Sequence, residues 1–338
     1  MASQKRELLI VSIGMEWLYP ITLRVIAAVV LIYFGLGLFN VNWLLRVRIL
    51  VALTTGALIV AAAGYPLVRP ADPLGAISVF TGEISIVSAA ILVGLGLVGG
   101  IVGTLLCQPL GGALGPFAAP AGVATLAVTS GGLRQLLLTH HALDQRNALY
   151  GVLRWELLFW LGICAAGYLG SYLTSKLIAN KADAGQTPKI ENKSNYWTHC
   201  VIAAVAAAVI VYFTIGIFAQ DIRQIDENLG FVVGHPGSRQ IAFGVFVSVG
   251  LAGFVAKQFL QVHFIPVVVG AAAVYIGTLS KFIGSDTLAY MVKTWPIDFF
   301  PNSIYAILPI QFAPFAILGA MTGYWTSIYL KRRPEHPE

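Results

Sequence analysis

ISIVSAAILVGLGLVGGIVGTLLCQPLGGALGPFAAPAGVATLAVTSGG, residues 84–132, is the stretch whose reading decides the fold. Between Glu83 and Arg134 the chain carries no charge. The run is too long for one bilayer crossing, which takes about 20 residues. Its glycines are dense, Gly94, Gly96, Gly99, Gly100 and Gly103 before the midpoint and Gly111, Gly112, Gly115 and Gly122 after it, and Pro109, Pro116 and Pro120 interrupt it. It reads as two membrane segments joined tightly at Gln108-Pro109, the second broken or kinked. In hydrocarbon each freed backbone group needs a partner, so a broken helix survives only against protein or a water-lined cavity.

The rest of the chain agrees. Of 338 residues, 57% are apolar and 11% charged, and mean hydropathy is +0.79. Soluble domains carry about 25% charged residues. The net charge of +6 does not point to nucleic acid, because the basic residues stand singly or in short groups between apolar runs, as beside membrane ends. Cys107, Cys164 and Cys200 lack paired spacing and read as small packing residues. Lys5 and Arg6 precede a short apolar run, but Glu16 follows and no small-residue cleavage site does, so an interfacial lead-in is favoured over a cleaved leader.

The expected fold is all-α: a polytopic integral membrane helical bundle of about nine transmembrane helices. The segments run over 18–39, 50–68, 84–106, 110–128, 152–173, 198–218, 241–260, 264–283 and 304–330. Three connections are polar: 133–150, expected along the interface; 176–196, a flexible aqueous loop; and 221–240, with Asp221, Asp226 and Glu227 in solvent. A fourth, 285–303, is aromatic and expected on or in the headgroup layer. Arg46, Arg48, Lys176, Lys181, Lys189, Lys193 and Lys331-Arg332-Arg333 fall on one side, which favours a cytoplasmic C-terminus; Lys5, Arg6, Arg134, Arg146 and Arg154 oppose it. A bacterial-type inner membrane fits direct insertion.

A shift of about 155 residues aligns three consecutive segments with later ones. Leu97-Val98-Gly99 meets Leu251-Ala252-Gly253; Gly115, Ala118 and Gly122 meet Gly270, Ala273 and Gly277; Gly167-Tyr168 and Ser171 meet Gly323-Tyr324 and Ser327. This suggests one helix plus two four-helix units, a 1+4+4 parallel repeat: 1–48, the lead-in and first helix; 49–176, the first unit; 177–197, a polar loop; 198–333, the second unit; and 334–338, a tail. Chance alignment of low-alphabet apolar segments is the alternative, and 30–39 also matches 209–218 at a different shift.

Small residues recur at four-residue spacing, as in Gly96/Gly100, Gly162/Ala166/Gly170 and Gly319/Gly323, which lets membrane helices approach closely within a bundle or across an oligomer. Ionisable groups in hydrocarbon are functional candidates. Arg24 and Lys281 lie near helix ends and can snorkel. Glu156 and Arg154 lie two residues apart and on different faces, which leaves Glu156 free to answer an arginine elsewhere. Lys257, Gln258, Gln261 and His263 form the densest polar group, read either as a solvated helix end or as a polar site.

His140-His141 and His199 do not make metal-ligand spacing. Gly94-x-Gly96-x-x-Gly99 matches the letters of a dinucleotide fingerprint but lies inside an apolar helix, away from the strand-to-helix turn that chemistry needs. No catalytic residue, cofactor or metal is expected.

Two functions remain open. A permease would move a small, weakly charged solute between two helical halves, lined by the third, fourth, seventh and eighth segments. Its candidate residues are Gln108, Pro109, Gly112, Gly115, Pro116, Glu156, Lys257, Gln261 and His263. The alternative is a non-catalytic structural or assembly subunit of a larger membrane complex. Expected partners are the lipid bilayer and either further copies of the chain or other membrane proteins.

Overall fold

The computed structural model describes residues 42–72, 75–81, 84–182 and 193–331. The expected first helix, 18–39, the centre of the polar loop and the tail lie outside them. In chain order the elements are α1 (Trp43–Val68), α2 (Ile86–Leu106), α3 (Gly111–Thr129) and the short α4 (Leu133–Thr139). The long α5 (Leu143–Ala182) and α6 (Lys193–Phe218) follow, then a hairpin of β1 (Arg223–Asp226) and β2 (Gly230–Gly234). The described residues end with α7 (Ser238–Leu260), α8 (Ile265–Phe282), α9 (Asp286–Thr294), β3 (Phe299–Phe300) and α10 (Pro309–Lys331). Among the described residues, seven helices are long and apolar enough to cross a membrane: α1, α2, α3, α5, α6, α7 and α8. At 23 residues α10 is also long enough, at about 34 Å. It carries Gln311, Thr322, Thr326 and Ser327 and is less apolar than the seven.

Irregularities sit where the sequence forces them. In α1 a π-helical turn, Ala57–Ala62, comes just before Pro66, which lacks the N–H of a regular ladder. Ser85 caps α2 by accepting a hydrogen bond from Ser88 N at 3.1 Å. The expected break in α3 is a 3₁₀ turn at Gly115–Phe117, between α-helical Gly111–Leu114 and Ala118–Thr129. The last helix begins at Pro309, later than expected, because a 3₁₀ turn at Ser303–Ala306 precedes it.

The crossings alternate, so the connections collect at two ends. The turn end holds the tight turns 107–110 and 261–264 and the end of α10. There the Cys107 thiol donates to Arg48 O at 3.3 Å and Lys331 Nζ to Gln258 O at 3.1 Å. The cap end holds the described residues of 69–85, α4, α9 and a three-stranded antiparallel sheet in the order β1-β2-β3, with Val233 opposite Phe300.

Three of the connections at the cap end differ from expectation. Residues 221–240 fold into the hairpin because Asp226 closes its turn, accepting from Asn228 N and Leu229 N at 3.0 and 2.8 Å. The aromatic connection forms α9 and supplies β3, joining the cap sheet through its backbone. Only Leu133–Thr139 of the expected interfacial segment stands apart as a helix; Asp144 and Arg146 already belong to α5.

The most extensive helix pairings are α7 with α10 and α2 with α5. Both are glycine contacts. A Cβ at Gly96 would fall 2.6 Å from Ile163 O, and Gly100 abuts Gly167 O. Across the other pair, Gly323 abuts Gly250 O, and a Cβ at Gly253 would fall 2.7 Å from Ala320 O. In each case backbone meets backbone, which only small residues allow. α1 packs on α3, and α6 on α8 and α7. The two groups of helices meet through α3 with α10, α5 with α10, and α5 with α8. The centre therefore belongs to α3, α5, α8 and α10. α2 and α7, expected there, lie outside, with Ile86, Val87, Phe243 and Phe259 on exposed surface.

Gly94 and Gly96 provide an internal comparison on one helix. Gly96→Val places its branch against the α5 backbone and is expected to cost about 1–3 kcal/mol by overpacking. Gly94→Val meets nothing within 4 Å of its Cβ and is expected to leave stability nearly unchanged. Thermal unfolding in one detergent checks the pair, and equal effects would contradict the glycine contact.

Candidate functional site

Inside the bundle lies a buried carboxyl group. Glu156, on α5, is 4% exposed. Ser78 Oγ donates to its Oε2 at 2.6 Å, and Trp160 Nε1, one turn on, donates to its Oε1 at 2.8 Å. The backbone amides of Val79 and Phe80 also face it. Ser78 belongs to an extended strap whose Ala76, Ile77 and Ser78 are all buried. The strap thus enters the protein to meet the carboxyl group, which answers neutral donors rather than an arginine. An ion pair lies elsewhere, Arg134 Nε to Asp298 Oδ1 at 2.9 Å, and is exposed.

Glu156 lies where the two helix groups meet. Tyr275, on α8, is within electrostatic reach of it and donates to Ile307 O at 2.8 Å, just before α10. One turn and a half toward the cap, Tyr150 OH donates to Tyr305 O at 3.3 Å. Arg146, 3% exposed, donates to the carbonyls of His140, at 3.0 Å, and Pro296. The bonds to Tyr305 and Pro296 tie α5 to the segment between α8 and α10.

The cap has its own buried acid. Asp226, 5% exposed, accepts from Tyr290 OH at 2.9 Å and Trp295 Nε1 at 2.8 Å through Oδ2. The Trp295 bond, with those from Leu229 N, Tyr290 and Asn228 N, holds its carboxyl below the ordinary carboxylate range, although burial opposes this. His235, on the loop after β2, packs against Gly132 and its N–H donates to Asp298 O at 2.8 Å. Burial first, and then the positive charge of Arg134, lower its imidazole pKa below the ordinary 6.5.

The nine residues singled out in the sequence do not converge. Gln108, Pro109, Gly112, Gly115 and Pro116 gather at the turn end of α2, α3 and α5, with Gly115 and Pro116 buried and Gln108, Pro109 and Gly112 exposed. Gln108 Nε2 donates to Thr104 O at 3.2 Å. Gly115 sits against the hydroxyls of Thr104 and Ser171, which are hydrogen-bonded to each other at 2.7 Å, and Gly112 faces Ser175 Oγ. Lys257, Gln261 and His263 occupy the turn end of the other group. Gln261 takes the left-handed conformation, φ 56°, that closes α7. Lys257 Nζ lies 4.9 Å from the Tyr324 ring, and the His263 ring is 5.4 Å from that ring and 4.2 Å from Phe264. Burial, with the charge of Lys257, lowers the His263 pKa. Glu156 stands apart from both sets.

Sequence reading missed Ser78, Trp160, Tyr150, Arg146, Tyr290 and Trp295. Trp160 was accessible, since i,i+4 spacing from Glu156 puts both on one helix face. Among the described residues no three His, Cys, Asp or Glu side chains group to hold a metal.

Acid is expected to loosen the cap in two stages. His235 has a lowered folded-state pKa, so the unfolded chain binds its proton first and stability falls as pH drops below about 6.5. Asp226 has a lowered pKa, so its contribution is present above the ordinary carboxylate range and is lost as pH falls through the depressed value. Trp295 fluorescence against pH should show both stages, His235→Gln removing the first and Asp226→Asn the second. A profile unchanged in both variants would contradict these assignments.

No family model, curated protein or solved structure matches the chain. A functional reading therefore rests on the packing and polar geometry of this molecule.

Proposed function

We propose that the chain is a permease-like membrane protein that moves a small, weakly charged solute between two four-helix halves. The halves are 49–176 and 198–333, related as a parallel repeat about an axis along the membrane normal. The observation that carries this reading is a matched pair of side-chain contacts. Thr104 of α2 bonds Ser171 of α5, and Ser327 of α10 donates to Gln258 of α7 at 3.1 Å. Thr104 and Gln258 are 154 residues apart, Ser171 and Ser327 are 156, the spacings at which the sequence aligns. Gly96 meets Gly167, and Gly250 meets Gly323, at the same two spacings.

The packing supports the same correspondence. α1 on α3 matches α6 on α8, and α3 on α10 matches α8 on α5. Tyr150 and Tyr305, one repeat apart, bond directly, as residues beside a pseudo-twofold axis do. Transporter halves of this kind rock about a central site. The path proposed here runs between α3, α5, α8 and α10, with Glu156 and Tyr275 as its polar point. The reading is non-enzymatic. The membrane proposed is a bacterial-type inner membrane with the turn end cytoplasmic, supported by Arg46, Arg48, Lys176 and Lys331 at that end.

One observation favours the second reading, a non-catalytic subunit of a larger complex. α3 is the most buried of the seven apolar helices, and its Ala119 Cβ abuts Gly167, so the core reads equally well as a rigid scaffold.

Cysteine accessibility separates the two. With Cys107, Cys164 and Cys200 replaced, single cysteines at Ala121, Ala124, Ala313 and Ala316 are treated with impermeant thiol reagents from each side. A permease gives reaction at the same position from both sides. Complete protection at all four positions favours the scaffold and contradicts the permease.

A further inference from the structure

At the turn end, a cleft of about 500 Å³ opens between α5, α6 and α8. Ligand sites commonly enclose about 300–1,000 Å³. Tyr168, Tyr196, Trp197, Pro266 and Val269 form its walls, and His263 lies at its inner edge. Trp197 is 74% and Val269 58% exposed, and both belong to candidate membrane spans. The cleft is therefore open sideways, toward lipid rather than toward water.

Its inner edge is basic, with no carboxylate beside it among the described residues. Lys257 lies over the Tyr324 ring, which also touches His263. Lys331 bonds the Gln258 carbonyl and is close enough for its charge to act on Lys257. The Nδ1 atom of His263 is buried without a hydrogen-bond partner. The described acids, Asp72, Asp144, Glu156, Asp221, Asp226, Glu227, Asp286 and Asp298, all fall on the cap side by chain order. Among the described residues the turn end thus offers cations and tyrosine hydroxyls but no carboxylate.

We infer that this cleft binds an anionic phospholipid from the bilayer, its acyl chain between Trp197 and Val269 and its phosphate toward Lys257, Lys331 and His263. Apolar walls open to hydrocarbon take the chain. A basic edge at the membrane boundary takes the charge. The aromatic walls suit the level where chain meets headgroup. The cleft shares α5 and α8 with the proposed solute path but takes nothing from α3 or Glu156.

The test is native mass spectrometry of the full chain reconstituted with phosphatidylglycerol or with phosphatidylcholine. One phosphatidylglycerol is expected to be retained in preference to phosphatidylcholine. Near the membrane surface each cation supports anionic lipid by about five-fold, so Lys257→Gln should weaken retention by about that factor. Val269→Trp, which fills the cleft and leaves the cations in place, should reduce retention of the lipid while the protein unfolds at an unchanged temperature. Equal retention of the two lipids overturns the proposal, as does Lys257→Gln or Val269→Trp without effect. Displacement of phosphatidylglycerol by millimolar inorganic phosphate also overturns it, because the site then recognises a free anion.

Discussion

Close approach of backbones is the constraint from which the rest of this structure follows. Lipid tails offer helices no hydrophobic reason to associate, so contact between them must come from packing and hydrogen bonds. Gly96, Gly100 and Gly167 remove the side chains that would keep α2 from α5, and Gly250, Gly319 and Gly323 do the same for α7 and α10. With those pairs locked, α2 and α7 are drawn to the outside of the bundle. The centre is left to α3, α5, α8 and α10. Buried hydroxyls then find partners across the same seams, Thr104 with Ser171 and Ser327 with Gln258.

The helices were largely legible in the sequence because each is an apolar run bounded by charge, glycine or proline. The 3₁₀ turn in α3 falls at Gly115–Phe117, where glycine and proline crowd together. The cap was not legible. Its strands are short, and Phe299–Phe300 has only two residues, too few to show a period. Its stability comes from pairings such as Tyr290 and Trp295 with Asp226, separated by more than sixty residues. Asp226 read as solvated because its neighbours are polar; only the fold reveals that two aromatic donors cover it.

The site was legible in parts but not as a whole. Glu156 stood out as a charge inside an apolar helix, but its partner Ser78 lies in a strap with no regular structure, and nothing local links the two. The turns at Gln108-Pro109 and Gln261-His263 are notable for their polarity and backbone breaks, and they lie at the ends of two different helix pairs rather than in one site. Their spacing of about 155 residues, visible in the sequence as an imperfect alignment, recurs in the hydrogen bonds and glycine contacts beside them. That recurrence supports the proposed duplication more specifically than any single residue match, since chance alignment of apolar letters has no reason to reproduce contacts.

The central claim is functional: a self-sufficient pair of halves carries a solute between them. Native mass spectrometry after gentle solubilisation from the protein's own membrane tests it most directly. The account predicts a monomer or small homo-oligomer, alone or with a small bound solute. A fixed stoichiometry with other proteins would contradict it and make the paired halves a scaffold.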